Sequence, residues 1–509
     1  MSCRLFGVDS KMQPFITLPP GTSPCWETHT SREETTVGHS SPWWRHWMWC
    51  RHIITEGIRS LSSSIRISAV WLYCYRAMAS VPIPLDKFST CHKQLKINHM
   101  RKIIASISVM MLLTCSLTAQ KRTDEATVRS IADNILAQPV TQFVGVDDGV
   151  VYNSTNEIPE GKDVGFKSPL TEWHYSNGVL DMAMIKLGEY LNEPKYLDYA
   201  ENHVAFGFDN YTYFRERFRN DRKHWRWPFG QLWNMKELDD CGAMGAAVIE
   251  VYQLNRQQRY LDYIHAAEKH ILERQDRLVD GTLSRTFPRE MTVWADDAYM
   301  ATSFLTRMGK FAGEQRYFDE AAKQLIQMDS YLWDETKGLY YHCYYDDLDR
   351  NGVAYWGRAN GWIMISLADL IEAMPADHPQ RDELIWILEK QIVGASRWQN
   401  ANGMWNQLLN NSDSYDESSV TAMFVYGTAK AINNGWIDPS YSSVARAGWK
   451  ALKENEITPD GRFTNVCVGT GISNDLPFYF NRPVGDNEKH GLGLIIHTAI
   501  EMMKLNGKK

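Results

Sequence analysis

The chain has 509 residues, enough for one large domain or about three average ones, and its apolar and charged fractions are those of an ordinary globular protein. A formal net charge of −7 provides no basic surface and excludes a nucleic-acid partner. The 19 Trp and 24 Tyr are in excess. Because aromatic rings stack on sugar faces in clefts, the excess favours a carbohydrate site, although a large aromatic core would explain it equally well.

The first hundred residues differ from the rest because no helical or strand periodicity persists in them. From Met100 to Gln120, MRKIIASISVMMLLTCSLTAQ has the basic start, apolar run and small-residue exit of a secretory signal peptide. Since such signals act at a chain start, we expect residues 1–99 to be a spurious upstream extension, 100–119 a signal peptide, and 120–509 a single domain. The predicted location is periplasmic or secreted. The alternative is a true N-terminal region with a membrane anchor, but the apolar run is short for a stable span.

Six apolar segments with helical periodicity recur along the chain, and small residues mark their starts. They are residues 178–191, 241–254, 297–312, 360–374, 418–432 and 490–505. More polar segments alternate with them, for example 256–264 and 383–396. The pattern predicts an all-α fold, an (α/α)6 barrel of six helical hairpins. The competing architecture is an open α-solenoid that binds a ligand along its inner face.

Polar residues stand at the start of each predicted inner helix, so a closed barrel would bring them to one rim. They are His174 and Asn177, Asp239 and Asp240, Asp296 and Asp297, Arg358 and Asn360, Asp416 and Glu417, and His490. For either Asp pair alone, helix capping is the simpler interpretation. Two pairs in successive repeats favour a catalytic cleft, because glycoside chemistry uses paired carboxylates.

The segment AYWGRANGW (354–362) surrounds Arg358 with Trp356 and Trp362. A guanidinium group binds a carboxylate through two hydrogen bonds and indoles supply stacking, so the segment is interpreted as an anion clamp. The alternative is a helix start with Arg358 in a structural ion pair. His342 lies among tyrosines one loop earlier and is either a structural group or a member of the same site.

No metal site and no cofactor are predicted. The segment DLDRNG (347–352) matches the first half of a calcium-binding loop, but Arg358 stands where that loop requires a Glu. After residue 119 only three cysteines remain, and their spacing matches no metal site.

Together, WADD-x-YM, LDD-x-GAMGAA, YWGR-x-NGW and ESSVTAMF resemble glycoside hydrolase family 105, the unsaturated rhamnogalacturonyl hydrolases, and the related family 88 unsaturated glucuronyl hydrolases. The resemblance covers residues 170–505 and implies an (α/α)6 barrel. It also implies a substrate that ends in a 4,5-unsaturated uronic acid, the product of a polysaccharide lyase. The enzyme would protonate C4 and add water at C5, after which the hemiketal opens and the glycosidic bond breaks.

The same resemblance assigns roles to individual residues. Asp296 would be the general acid and then the base, shielded from water by Trp294 and Tyr299. Asp239 would be the second carboxylate, with Asp240 as the alternative. The positions that match sugar contacts or the cleft histidine of the family are Arg358, Trp362 and His342. The other predicted substrate-binding residues are Trp356, Asn360, His174, Asn177, Glu417 and His490.

The predicted activity is that of a glycoside hydrolase that removes a terminal unsaturated galacturonyl residue from rhamnogalacturonan-type oligosaccharides. One alternative is an unsaturated glucuronyl hydrolase that acts on another uronic-acid glycan. A sugar epimerase on the same barrel would require histidine bases that face one another. A non-catalytic glycan-binding protein would need the aromatic residues but not two carboxylates at the rim. The sequence leaves the aglycone and the oligomeric state open.

Overall fold

The computed structural model describes residues 122–220 and 227–507. The predicted upstream extension, residues 1–99, and the predicted signal peptide, residues 100–119, lie outside the described residues. Within the two described ranges, no helix is both long enough and apolar enough to cross a membrane.

Helices make up most of the described chain. They are α1 (Asp124–Leu136), α2 (Tyr175–Leu191), α3 (Pro194–Phe218), α4 (Leu238–Leu254), α5 (Gln258–Lys269), α6 (Asp297–Ala312), α7 (Gln315–Leu332), α8 (Gly357–Ala373), α9 (Arg381–Ser396), α10 (Ser418–Asn433), α11 (Ser442–Ala451), α12 (Leu476–Phe480) and α13 (Lys489–Gly507). The most deeply buried are α2, α4, α6, α8, α10 and α13, which correspond to the six predicted apolar segments. Three of them, α2, α4 and α8, begin three residues earlier than predicted, and α8 ends one residue earlier.

These six inner helices form a closed ring. Each packs against the next one along the chain, and α13 packs against α2. The outer helices α3, α5, α7, α9 and α11 pack on the inner helices that precede them, and α1 packs on α13 to complete the sixth hairpin. The predicted (α/α)6 barrel is therefore confirmed, and the open α-solenoid is wrong.

Glycines near the starts of the inner helices allow the ring to close tightly. A Cβ atom on Gly242 of α4 would lie only 1.6 Å from the carbonyl oxygen of Met300 in α6. A Cβ atom on Gly178 of α2 would lie 2.6 Å from the carbonyl oxygen of Ala243 in α4. Neighbouring backbones therefore approach more closely than any other residue would permit at these positions.

Short strands occur in the loops between the helices. They are β1 (Phe143–Gly145), β2 (Val151–Tyr152), β3 (Val164–Phe166), β4 (Thr292–Trp294), β5 (Trp333–Asp334), β6 (Leu339–Tyr340), β7 (Cys343–Tyr345), β8 (Arg350–Asn351), β9 (Trp405–Asn406), β10 (Asp416–Glu417), β11 (Val466–Cys467) and β12 (Val484–Gly485). Strand β1 pairs with β2 and β3, β7 with β4 and β8, β5 with β6, β9 with β10, and β11 with β12, all antiparallel. The sequence did not predict them, because two or three residues are too few for a period to be seen.

Candidate active site

The sheet β4–β7–β8 sets the position of Asp296, which directly precedes α6. Trp294 pairs with Cys343, and the Ala295 N–H donates to the carbonyl oxygen of His342 at 3.0 Å. This pairing brings His342 Nε2 to 3.0 Å from Asp296 Oδ2. The Asp296 side chain makes no capping hydrogen bond to α6. Helix capping is therefore not the role of Asp296.

The Asp296–His342 pair is almost fully buried. Asp296 is 7% exposed and His342 is 0% exposed. The His342 ring centre lies 5.7 Å from that of Trp294 and 4.6 Å from that of Trp356. On its other side, His342 Nδ1 lies 2.8 Å from the hydroxyl oxygen of Tyr479, a residue that the sequence prediction missed. A buried carboxyl group whose hydrogen-bonded histidine is flanked by two indoles is suited to proton transfer away from bulk water.

Arg285, which was also missed, joins two of the predicted carboxylates. Its Nε and Nη2 donate to Asp297 at 2.9 and 2.7 Å, and its Nη1 and Nη2 donate to Asp239 at 3.0 and 2.9 Å. An antiparallel bridge to Thr292 sets Arg285 beside β4, and its guanidinium lies 4.2 Å from the Trp294 ring centre. Asp297 is fully buried, whereas the Asp239 side chain is 22% exposed. Asp297 is thus held in the scaffold, and Asp239 is the more accessible partner of the same cation.

Glu237, the residue before α4, adds a further carboxyl group beside this cluster. Burial raises the pKa of Glu237 to about 7, while Arg285 acts to lower it and Asp297 and Asp239 add to the rise. Its Oε2 is buried without a hydrogen-bond partner among the described residues. The start of α4 therefore holds a carboxyl group that gains or loses its proton near neutral pH.

Arg358 is fully buried and is held by backbone carbonyl groups. Its Nη1 donates to the Cys467 oxygen at 2.6 Å and to Ser419 Oγ at 3.2 Å, and its Nη2 donates to the Val468 oxygen at 2.6 Å. The guanidinium carbon lies 4.8 Å from the Trp356 ring centre. Within the described chain it forms no ion pair with a carboxylate, so the structural ion-pair interpretation is wrong. Glu417 and Glu488 act on it electrostatically without contacting it. A buried cation with no carboxylate in direct contact is suited to binding an anion.

Asp240 and Asn360 are engaged by the scaffold. Asp240 Oδ2 accepts the N–H groups of Lys236 and Glu237 at 2.8 and 3.0 Å, and this closes the first turn of α4. The Asn360 side chain accepts from and donates to the backbone of Tyr340 at 2.7 and 2.8 Å. That exchange ties β6 to α8. Whether either residue contacts a substrate stays a prediction.

Glu417 and Asn177 also have local partners. Glu417 accepts the N–H groups of Ser419, Val420 and Cys467 at 3.0, 2.7 and 2.8 Å. It caps α10 and tethers the segment whose carbonyl groups hold Arg358. Asn177 Nδ2 donates to two backbone carbonyl groups that precede α2, at 3.0 and 2.8 Å.

The remaining predicted aromatic residues meet around Tyr175, which the sequence prediction did not name. The Tyr175 ring centre lies 4.4 Å from that of His174, 5.5 Å from that of His490 and 6.3 Å from that of Trp362. Trp362 in turn lies 4.7 Å from Tyr299. The starts of α2, α6, α8 and α13 therefore share one aromatic wall.

Several charged groups of the site interact electrostatically with the Tyr175 hydroxyl. Burial raises the pKa of Tyr175 well above its usual range, and Arg358 acts to lower it. The carboxylates of Asp239, Asp296 and Glu488 add to the rise. All four charged groups are thus within electrostatic reach of one phenol, as the predicted convergence at one rim requires.

This arrangement combines a buried carboxyl group, a second carboxylate, a buried cation and an aromatic wall. The carboxyl group can transfer a proton, the cation can bind an anion, and the rings can hold a sugar. Among the described residues, no group of three or more His, Cys, Asp or Glu side chains could hold a metal ion. The cysteines of these ranges, Cys241, Cys343 and Cys467, are buried and free.

Two relatives carry informative names. The unsaturated rhamnogalacturonyl hydrolase YesR of Bacillus subtilis (strain 168) is 26% identical over 271 residues, which are 52% of this chain and 76% of that protein. The unsaturated 3S-rhamnoglycuronyl hydrolase of Alteromonas sp. (strain LOR) is 30% identical over 221 residues, which are 42% of this chain and 51% of that protein. The chain thus spans about half the length of the second relative.

A solved structure supports the fold. The crystal structure of a possible member of the GH105 family from Salmonella enterica serovar Paratyphi A has a TM-score of 0.61 at 22% identity, over 76% of this chain and 94% of that one. The model of Glycosyl Hydrolase Family 88 matches residues 149–506. The resemblance noted in the sequence is confirmed, and the chain belongs to glycosyl hydrolase family 88.

Proposed function

We propose that this glycoside hydrolase removes a terminal 4,5-unsaturated uronic acid from an oligosaccharide by hydrating the C4=C5 double bond. Family membership supports hydrolysis of a glycosidic bond, and the names of both relatives support an unsaturated uronyl group. The observation that carries the proposal is the buried cation Arg358, which has no carboxylate partner and lies in the same site as Asp296. An unsaturated uronic acid supplies both a carboxylate and a carbon atom to be protonated.

Each of these groups has a defined role in the reaction. Arg358 binds the substrate carboxylate, and Asp296 donates its proton to C4, where the electron pair of the double bond forms the new C–H bond. Positive charge develops at C5 and the ring oxygen, and a water molecule attacks C5 and returns a proton to Asp296. Asp239 stabilises the developing positive charge. The resulting hemiketal opens to a ketone at C5, and the hemiacetal that this leaves at C1 collapses to an aldehyde and releases the aglycone as an alcohol.

Within this class, an unsaturated galacturonyl end on a rhamnogalacturonan fragment is the first candidate, because the Bacillus relative is named for that activity. The Alteromonas relative makes an unsaturated rhamnoglycuronyl end the second candidate. Both candidate substrates present the same carboxylate and double bond to Arg358. The two substrates therefore differ in the aglycone.

The test is loss of the ultraviolet absorbance of the double bond, measured with a panel of unsaturated disaccharides of both kinds. The matched saturated disaccharides serve as controls. The proposal expects absorbance loss together with release of the aglycone sugar, and no cleavage of the saturated set. Cleavage of saturated and unsaturated disaccharides at equal rates, or of neither, would contradict it.

A further inference from the structure

Tyr479 is held so that its hydroxyl hydrogen points at His342. The residue lies in α12, is 1% exposed, and accepts the N–H of Ser473 at 3.1 Å. Since a backbone N–H can only donate, the hydroxyl oxygen is an acceptor in that contact. Its other hydrogen-bond partner among the described residues is His342 Nδ1, at 2.8 Å. If His342 donated there instead, a buried O–H would be left without an acceptor, which is costly.

The direction of this bond fixes the hydrogen on His342. A neutral imidazole that accepts at Nδ1 carries its hydrogen on Nε2. His342 Nε2 lies 3.0 Å from Asp296 Oδ2, so it donates to that oxygen. Burial raises the pKa of Tyr479 well above its usual range, although the Ser473 N–H acts to lower it, and the phenol keeps its hydrogen at neutral pH.

We propose that Tyr479 is a positioning residue that holds His342 as the Nε2–H tautomer and thereby keeps the transferable proton of Asp296 on Oδ1. Oδ2 accepts from His342, so Oδ1 is the oxygen left to protonate the substrate and later to take the proton from water. The inference rests on the proposed role of Asp296 as the general acid. It extends the active site to α12, which follows the segment whose carbonyl groups hold Arg358.

Besides His342, ionisable groups from several elements interact electrostatically with Asp296. They include Tyr175 of α2, Asp297 of α6, Cys343 of β7 and Tyr479 of α12. Burial raises the pKa of Tyr175, Cys343 and Tyr479, so these three stay neutral through the range in which the enzyme would be assayed. Asp297 and its partners Arg285 and Asp239 are unchanged in all the variants compared below, so they do not cause a difference between those variants.

The first test is the pH profile of Tyr479→Phe, which removes only the hydroxyl group. We expect kcat to fall about tenfold while KM changes less than about twofold, because the substrate is not contacted. The alkaline limb of the kcat profile should move to higher pH, since a weaker donor at Oδ2 stabilises the carboxylate less. Unchanged kcat, or an alkaline limb that stays or moves to lower pH, would overturn the proposal.

The second test is a double-mutant cycle with His342→Gln. If Tyr479 acts through His342, adding Tyr479→Phe to His342→Gln should change kcat by less than about twofold. A further tenfold loss in that background would mean that the hydroxyl acts elsewhere, and would overturn the proposal. The matched control is Tyr196→Phe, which removes a hydroxyl 3.0 Å from Asp133 between α1 and α3 and should leave kcat and its pH profile unchanged.

Circular dichroism and thermal unfolding confirm that each variant is folded before its kinetics are compared. The wild-type protein provides the separate check on the proposed function. If it consumes no unsaturated disaccharide, the proposed activity fails before the role of Tyr479 is addressed. If the wild type is active and Tyr479→Phe equals it at every pH, only the positioning role fails.

Discussion

At the scale of single residues, Arg358 shows how a cation can be buried without being neutralised. Two backbone carbonyl oxygens, each 2.6 Å from a guanidinium nitrogen, bind the terminal nitrogens without carrying a counter-charge, and Nε is buried without a hydrogen-bond partner among the described residues. A carboxylate in the same place would have cancelled the charge that a uronic acid needs. Trp356, beneath the guanidinium plane, keeps the group in one orientation.

Arg358→Lys is expected to lower kcat/KM about 10- to 100-fold, mainly through KM. Lysine keeps the charge but cannot contact both carbonyl groups and a substrate carboxylate with a planar fork. Michaelis kinetics on an unsaturated disaccharide measure the effect. The control is Arg289→Lys, an exposed arginine paired with Asp347, which should change neither parameter. Unchanged kinetics in Arg358→Lys would make Arg358 a purely structural residue.

Glu237 predicts a specific pH dependence of stability. Burial raises its pKa from 4.5 to about 7, so the folded protein favours the protonated form. Its contribution to stability is complete below pH 4.5 and is lost as the pH rises through 7. Glu237→Gln, which stays neutral, should therefore unfold at a higher temperature than the wild type at pH 8 but at nearly the same temperature at pH 4.5.

Thermal unfolding across that pH range tests the prediction for Glu237. Because the group is partly exposed, the gain at pH 8 should be about 1 kcal/mol or less. The exposed Glu160→Gln serves as the control and should show no such trend. A difference between Glu237→Gln and wild type that is independent of pH would contradict the assignment.

At the scale of helices and strands, the sequence predicted the starts of the inner helices to within three residues, because helical periodicity is a local property. The sequence could not show which polar residues at those starts cap a helix and which do not. Asp240 binds the backbone N–H groups of the two residues before its helix, and Glu417 binds those of the first turn of α10, whereas Asp296 makes no capping hydrogen bond. That difference depends on the sheet β4–β7–β8, whose strands are too short to be recognised.

Arg285 and Tyr479 were missed for the same kind of reason. Arg285 lies in a loop and meets Asp239, 46 residues earlier, while Tyr479 meets His342 across 137 residues. No periodicity connects such partners, and each residue taken alone is an ordinary arginine or tyrosine. The family motifs lie at the helix starts, and they do not include the loop residues that complete the site.

Close packing of the inner helices gives a prediction at this scale. Gly242→Ala should destabilise the protein by about 1–3 kcal/mol or more, because its Cβ would overlap the Met300 carbonyl oxygen and force α4 and α6 apart. Denaturant or thermal unfolding measures the loss. Gly165→Ala is the control, since a Cβ there meets open space. Equal stability of the two variants would mean that the helix contact is looser than described.

At the scale of the whole molecule, α1 and α13 form the sixth hairpin from distant parts of the chain. The sequence indicated six hairpins but did not identify α1 as the outer partner of α13. The carboxylate of Asp124 in α1 accepts from Trp449 Nε1 at 2.8 Å and from Asn506 at 2.7 Å. Ile131 and Ile135, on the same helix, are buried in the core.

A truncation tests whether α1 is required for the closed ring. A chain of residues 138–509 lacks α1 and would expose the apolar surface of α13, so it should lose cooperative unfolding or aggregate. A chain of residues 120–509 keeps α1 and should unfold in one cooperative transition. If both chains unfold cooperatively at the same temperature, α1 is dispensable and the ring is closed by the inner helices alone.

The central claim is that Asp296 protonates the substrate, and the most direct measurement is the turnover of Asp296→Asn and Asp297→Asn on an unsaturated uronyl disaccharide. Asn at position 296 can still accept from His342 but carries no transferable proton, so turnover should fall at least ~100-fold with the fold intact by circular dichroism. Asp297→Asn should lose much less turnover and more stability, because it removes one carboxylate from Arg285. A folded Asp296→Asn with near wild-type turnover would contradict the account.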